Sequence, residues 1–163
     1  MAKKEHARHV RYEDLDAMLA EADAMLANGY DKTGNWSLGQ AAGHVAQWAS
    51  FPMDGFPEPP AFMKAIFWVL RKTGASEKMA TKIKAEGFKP GMATAPTTVP
   101  SPDSADADGV AQLRQVVEQL KSHDGPLHDS PLFGQLDKPT HISVTLLHAA
   151  HHFGFLVPHS KAE

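Results

Sequence analysis

His148 and His152 stand four residues apart in the run His148-Ala149-Ala150-His151-His152. On a helix, side chains at i and i+4 are neighbours, with Cβ atoms about 5–6 Å apart. Two imidazoles so placed can reach one divalent cation at about 2.0–2.1 Å each. Two ligands hold an ion weakly, so a third has to come from another element. His44 is the leading candidate, because it falls on the apolar face of an expected helix, one turn after Gln40 and one before Trp48. An imidazole on an inward face needs a polar partner, since burying it unpaired costs roughly 1–3 kcal/mol. Three neutral imidazoles leave a coordination position open, which is the pattern of catalytic metal sites; structural sites are closed by four protein ligands. An ion held this way would lower the pKa of a bound water, or hold and activate a thiolate. Imidazole donors favour zinc, nickel or ferrous iron over magnesium.

The other polar candidates are weaker. A His-x-x-x-His pair also arises on helices with no ligand role. His151 lies about 100° round the helix from His152, so it is expected to face a neighbouring helix or solvent. His141, two turns before His148, reads as an exposed rim residue of the first turn. His6, His9, His123, His128 and His159 fall in tails or loops. A zincin protease needs Glu directly after the first histidine as general base; here that position is Ala149. No nucleophile elbow, phosphate-binding loop or dinucleotide fingerprint occurs. Gln40 either hydrogen-bonds a bound ligand or completes a capping box, and the box is the preferred reading. Asp54 is either a carboxylate that supports the site or a solvated loop residue, with the loop preferred. Trp36, Trp48 and Trp68, with Phe51, Phe56, Phe62 and Phe67, read as core.

The elements that must position these residues follow from periodicity and caps. Residues 12–28 place Leu15, Met18, Leu19, Ala22, Met25 and Leu26 at helical steps, with Gly29 as C-cap. Ser37 with Gln40 three positions later opens a second helix, which should run to about Phe51, where Pro52 stops it. Ala41, His44, Val45 and Trp48 share its inner face. Ala61 to Lys72 is apolar almost all round, which predicts a buried helix, and Ser76 to Ala85 a further short one. From Lys89 to Asp108 four prolines predict an irregular, mobile stretch. Asp108 should cap a helix through Lys121, with Val110, Leu113, Val116, Val117 and Leu120 buried. The last helix should run from Pro139-Thr140 to about Val157, before Pro158. Little or no sheet is expected. The long connection between the second and third main helices suits a bundle in which those two run parallel.

The totals fit one domain. The 163 residues carry a net charge of −3 with 42% apolar residues, so no large face should attract nucleic acid or an acidic membrane. Lys3, Lys4, Arg8 and Arg11 make residues 1–11 a basic, solvated tail; residues 12–158 form the domain and 159–163 a second tail. The absence of cysteine fits a reducing compartment. The first residues hold no apolar run, and the longest such stretch, Ala65 to Leu70, is far short of a membrane span. These features predict a cytoplasmic protein.

Asn35-Trp36-Ser37-Leu38-Gly39-Gln40 leading to His44, with His148, His151 and His152 much later, resembles the DinB/YfiT-like superfamily of metalloenzymes. The ending His151-His152-Phe153-Gly154-Phe155-Leu156-Val157-Pro158 resembles one branch in particular. The likeness covers residues 12 to 158. It implies an all-α four-helix bundle of up-down-down-up order, often a homodimer; the short helices expected at 61–72 and 76–85 then fall in its long crossover. It implies a metal held by His44, His148 and His152, the three that spacing selects. Known activities of the superfamily are mainly thiol-dependent, with S-transfer from a low-molecular-weight thiol among them. This chain departs from the commoner pattern at Ala149, Phe153 and Phe155, where Glu, Arg and Gln are frequent.

Two functional readings follow. One is a metal-dependent enzyme that activates a thiol or water against a small electrophilic substrate in an apolar pocket around Trp48 and Phe51. The other is a non-catalytic bundle that binds a metal or small molecule. A third, purely structural reading makes the histidines a hydrogen-bonded core network.

Overall fold

The computed structural model describes residues 7–88 and 96–160. Among them are six α-helices and one two-stranded sheet. The expected caps explain most helix starts. Asp14 accepts a hydrogen bond from Ala17 N and opens α1 (Leu15–Asn28). Ser37 and Gln40 form the full capping box at the start of α2 (Leu38–Asp54). Asp137 accepts from Thr140 N and opens α6 (Lys138–Phe153), with Pro139 in the first turn. Between them lie α3 (Ala61–Lys72), α4 (Ala75–Glu86), a 3-10 turn (Pro96–Thr98) and α5 (Asp106–Ser122).

The core lies between α1, α2, α5 and α6. Helix α5 buries Val110, Leu113, Val116, Val117 and Leu120, the stripe that its periodicity predicts. Small residues on α2 (Ala41, Ala42, Ala46, Ala49) let neighbouring helices come close. The approach is tightest at Gly39 and Gly109. A Cβ on Gly109 would lie 2.3 Å from the Gly39 carbonyl oxygen, and one on Gly39 would lie 2.5 Å from that of Ala105. No side chain fits between α2 and α5 there.

Several sequence expectations need correction. Asp108 does not cap α5; it is exposed in the first turn. Its neighbour Asp106 acts instead on α2, accepting from Gly39 N at 2.7 Å and from the Tyr30 hydroxyl at 2.9 Å, while Leu38 N donates to Tyr30. Helix α2 also passes through Pro52 to Asp54. Proline fixes a helix-compatible φ, so near a C-terminus it costs one internal hydrogen bond only, and Gly55 N closes the last turn on Phe51 O.

Helix α6 stops at Phe153, because the next residues pair as a strand. β2 (Leu156–Pro158) runs antiparallel to β1 (Tyr30–Lys32), with Asp31 opposite Val157. Arg8 holds this junction: its backbone N–H donates to Gly154 O and its guanidinium to Leu156 O, Phe153 O and Glu21. Arg8 is therefore a clamp, although the sequence places it in a solvated tail. Lys3, Lys4 and His6 lie outside the described residues, as does the start of the crossover expected to be irregular, residues 89–95.

The largest correction concerns α3. It has no buried residue, and its main helix partner is α4. Phe62 and Trp68 are 66% and 62% exposed, so neither belongs to the core. Among the described residues no helix is long and apolar enough to cross a membrane.

Candidate metal centre

His44 sits in the second turn of α2, on the face that also buries Ala41 and Val45. It is only 3% exposed. Its Nδ1 lies 2.8 Å from the carbonyl oxygen of Thr98, in the 3-10 turn. A carbonyl can only accept, so Nδ1 carries the hydrogen and Nε2 carries the lone pair. Metal-ligating histidines usually show this arrangement, with one ring nitrogen donating to the protein and the other free to coordinate.

His148 and His152 project from α6, one turn apart, both half-buried. Their Nε2 atoms are 3.0 Å apart. Coordinating atoms of all three histidines lie within 4.8 Å of one another. Two nitrogens bound to one ion at about 2.0–2.1 Å stand roughly 2.9–3.4 Å apart for ordinary coordination angles. The α6 pair already meets that spacing, and loading requires the widest separation to close by about an ångström or more. The donor set thus fits a divalent cation that accepts nitrogen ligands. In the absence of an ion, the same short contact is a hydrogen bond between neutral rings.

Burial keeps these imidazoles neutral. It pushes His148 down to about 3, helped by the nearby His44 and His151 rings. For His152 burial again acts first, with His148, His44 and His151 adding to the downward shift. Burial also lowers His44, against the opposing hydrogen bond to Thr98. Neutral rings are the form that coordinates a metal.

Aromatic rings wall the cluster. Trp36 stacks on His152, with centroids 4.9 Å apart and planes 14° from parallel, and it meets His44 edge-on. Trp48 stands edge-on to both His44 and His148, while Phe88 covers His148 and His151. These rings orient the imidazoles and exclude water from one side.

A family model described as "Protein of unknown function (DUF1569)" matches residues 4–159. The chain belongs to the DUF1569 family. Comparisons with curated proteins and with solved structures gave no match.

In this DUF1569 protein the remaining candidates divide clearly. His151 borders the cluster without joining the three: its ring lies edge-on to His152, with centroids 4.8 Å apart, and also faces Phe88 and Phe155. Gln40 is occupied by the capping box. Asp54 is exposed in the last turn of α2, and no hydrogen bond ties it to a histidine. Trp48 does line the cluster, but it is 36% exposed and not a core residue. His141 is not an exposed rim residue: it is 5% exposed, and its Nε2 has no hydrogen-bond partner among the described residues.

Sequence reasoning missed Thr98 and Phe88, which approach from either end of the irregular crossover and leave no periodic signal. It also read Trp36 as core, although Trp36 belongs to the opening motif that leads to His44.

Proposed function

We propose that this protein is a divalent-metal-dependent enzyme of DinB-like type, using His44, His148 and His152 as ligands. The observation that carries the reading is the convergence of one imidazole from α2 and two from α6 within 4.8 Å, with His44 anchored through Nδ1. The packing of α1, α2, α5 and α6 supports the matching architecture, a four-helix bundle of up-down-down-up order. Zinc or nickel suits the all-nitrogen donor set best, and ferrous iron is also compatible.

The ion would supply Lewis acidity, lowering the pKa of a thiol or water at the open position. The chain's own residues set up that position. The Thr98 carbonyl fixes the tautomer of His44, Trp36 holds the plane of His152, and Trp48 and Phe88 keep the approach apolar. A small electrophile attacked by a low-molecular-weight thiol fits that surface, and S-transfer is the reaction class proposed. A cytoplasmic, homodimeric protein completes the reading.

One observation favours the alternative, a non-catalytic metal-binding bundle. Among the described residues the rings packed around His148 and His152 are aromatic or imidazole, and no hydrogen bond joins either histidine to a carboxylate that could serve as a general base.

Zinc titration by calorimetry and elemental analysis of the purified protein test the metal. His148→Ala should abolish stoichiometric binding, with a loss beyond the 10–100-fold that removing an outer hydrogen-bond partner costs. His151→Ala should weaken binding only modestly. The reverse ranking would place the site on the other face of α6. Absence of stoichiometric metal, with no loss of thermal stability in chelator, would leave a structural histidine network. Turnover of a reactive aryl chloride with a panel of small thiols then separates enzyme from binding module.

A further inference from the structure

The α3–α4 hairpin is built unlike the rest of the molecule. Phe62, Ala65, Ile66 and Val69 form one stripe along α3, at steps of three and four residues, and all four are exposed. Trp68 projects beside them. Between Ala65, Ile66, Val69 and Leu70 lies a shallow furrow lined by these apolar side chains alone. Neighbouring exposed apolar side chains of this size mark an interaction site.

Charge indicates what covers it. Residues 61–86 carry six basic side chains (Lys64, Arg71, Lys72, Lys78, Lys82 and Lys84) against two acids, Glu77 and Glu86. The rest of the chain therefore has an excess of acids, and the overall charge of −3 conceals a basic hairpin on an acidic body. All six basic residues are exposed, and one of them, Lys64, is paired with the exposed Glu58 just before α3.

We propose that the hairpin docks this protein on an anionic lipid surface, with α3 lying in the interface. An exposed stripe of Phe, Ile and Val with a flanking Trp, and Lys and Arg on the other sides, is the composition of an interfacial helix. Helix α3 has 12 residues, about 18 Å of length at the helical rise, suited to lying in the headgroup region and too short to span it. A second copy of the chain is a poorer occupant, because two such hairpins face to face would oppose like charges. The proposal is independent of metal binding at the histidines.

The test uses the intact protein and vesicles of phosphatidylglycerol with phosphatidylcholine, compared with phosphatidylcholine alone. Co-sedimentation should be strong on the anionic vesicles, at least tenfold weaker on the neutral ones, and lost at high salt. Lys72→Gln with Lys78→Gln should weaken it roughly fivefold per charge removed. Phe62→Ser with Trp68→Ser should abolish it while leaving the thermal midpoint unchanged, since neither side chain is buried. Brominated lipid should quench tryptophan fluorescence, and Trp68→Phe should remove that quenching while Trp36 and Trp48 remain. The proposal is overturned by absence of vesicle binding. Binding that these variants do not alter overturns it too, as does a dimer dissociated by Phe62→Asp in a protein that ignores vesicles.

Discussion

Helices α2 and α3 are both rich in apolar residues, yet one is the most buried element of the molecule and the other buries nothing. Helix α2 achieves burial with small side chains. Gly39 and four alanines let α5 and α6 approach, and Asp106, Tyr30 and Ser37 take up the amide hydrogens of its first turn. Helix α3 carries Phe, Ile, Trp and Val, but among the described residues no surface of matching shape is placed against them. Apolar content measures the gain available from burial; whether burial occurs depends on shape and on satisfied polar groups. The histidine cluster belongs to the first kind of region and inherits its precision.

Removing the close approach should have the largest effect. Gly109→Ala gains roughly 1 kcal/mol of helix propensity, but the new Cβ meets the backbone of Gly39, which cannot rotate aside. The expected outcome in urea unfolding is a net loss of about 3 kcal/mol. Gly43→Ala is the control, one turn further along α2. Its Cβ would meet only Gln112 Oε1, at 3.5 Å, an ordinary contact. It should stabilise by about 0.5–1 kcal/mol. If both changes behave alike, the contrast drawn between tight seam and loose surface is wrong.

Acid should attack the same region next. The unfolded chain takes up protons on these histidines below the ordinary 6.5, whereas folded His148 resists until about 3. Stability is therefore complete above pH 6.5 and falls as pH drops through that window, by about 1.4 kcal/mol per pH unit for each histidine that stays neutral. Residues 61–86 contain no histidine. Hydrogen exchange on α2 and α6 should accelerate between neutral and mildly acid pH more steeply than on α3, once corrected for intrinsic rates. His148→Leu should flatten the global dependence.

These two regions also mark how far the sequence could be read. The stripe of α5, the Ser37–Gln40 box and the His148–His152 pair were legible because each depends on spacing within a single helix, and His44 because it interrupts the apolar face of α2. Contacts across the chain were not. Nothing local distinguishes Asp106 from Asp108, and only the position of Tyr30 and of the α2 terminus makes the first one a cap. Arg8 looks like part of a charged tail until the carbonyls at the end of α6 are in place to receive it. Thr98 was unreadable for the same reason: its role is played by a carbonyl, which every residue has. The exposure of α3 was hidden because hydropathy cannot report a missing neighbour.

The aspartates offer a finer test. Asp106→Ala leaves Gly39 N and the Tyr30 hydroxyl without their partner and should cost about 1–2 kcal/mol, the range for loss of a helix cap. Asp108→Ala, at an exposed position two residues away, should change stability by no more than about 0.5 kcal/mol. Thermal midpoints of the two variants check this ranking directly. Equal effects would mean that Asp106 acts only through its charge in the first turn of α5, where Asp108 serves as well.

The smallest effect is expected on α3. Ile66→Ser exchanges a large apolar side chain for a polar one, and in a core it would cost several kcal/mol by cavity and burial of a hydroxyl. Ile66 is 47% exposed, so the expected change lies within about 0.5 kcal/mol, the usual range for surface positions. The sign of any residual carries information. A slight loss matches the weaker helix propensity of serine and its loss of contact with neighbouring Val69 and Leu70. A loss of about 2 kcal/mol or more in urea unfolding would mean that Ile66 is covered in solution by another part of the chain or by a second copy. Concentration dependence of the unfolding midpoint then decides between the two, because only association makes stability depend on protein concentration.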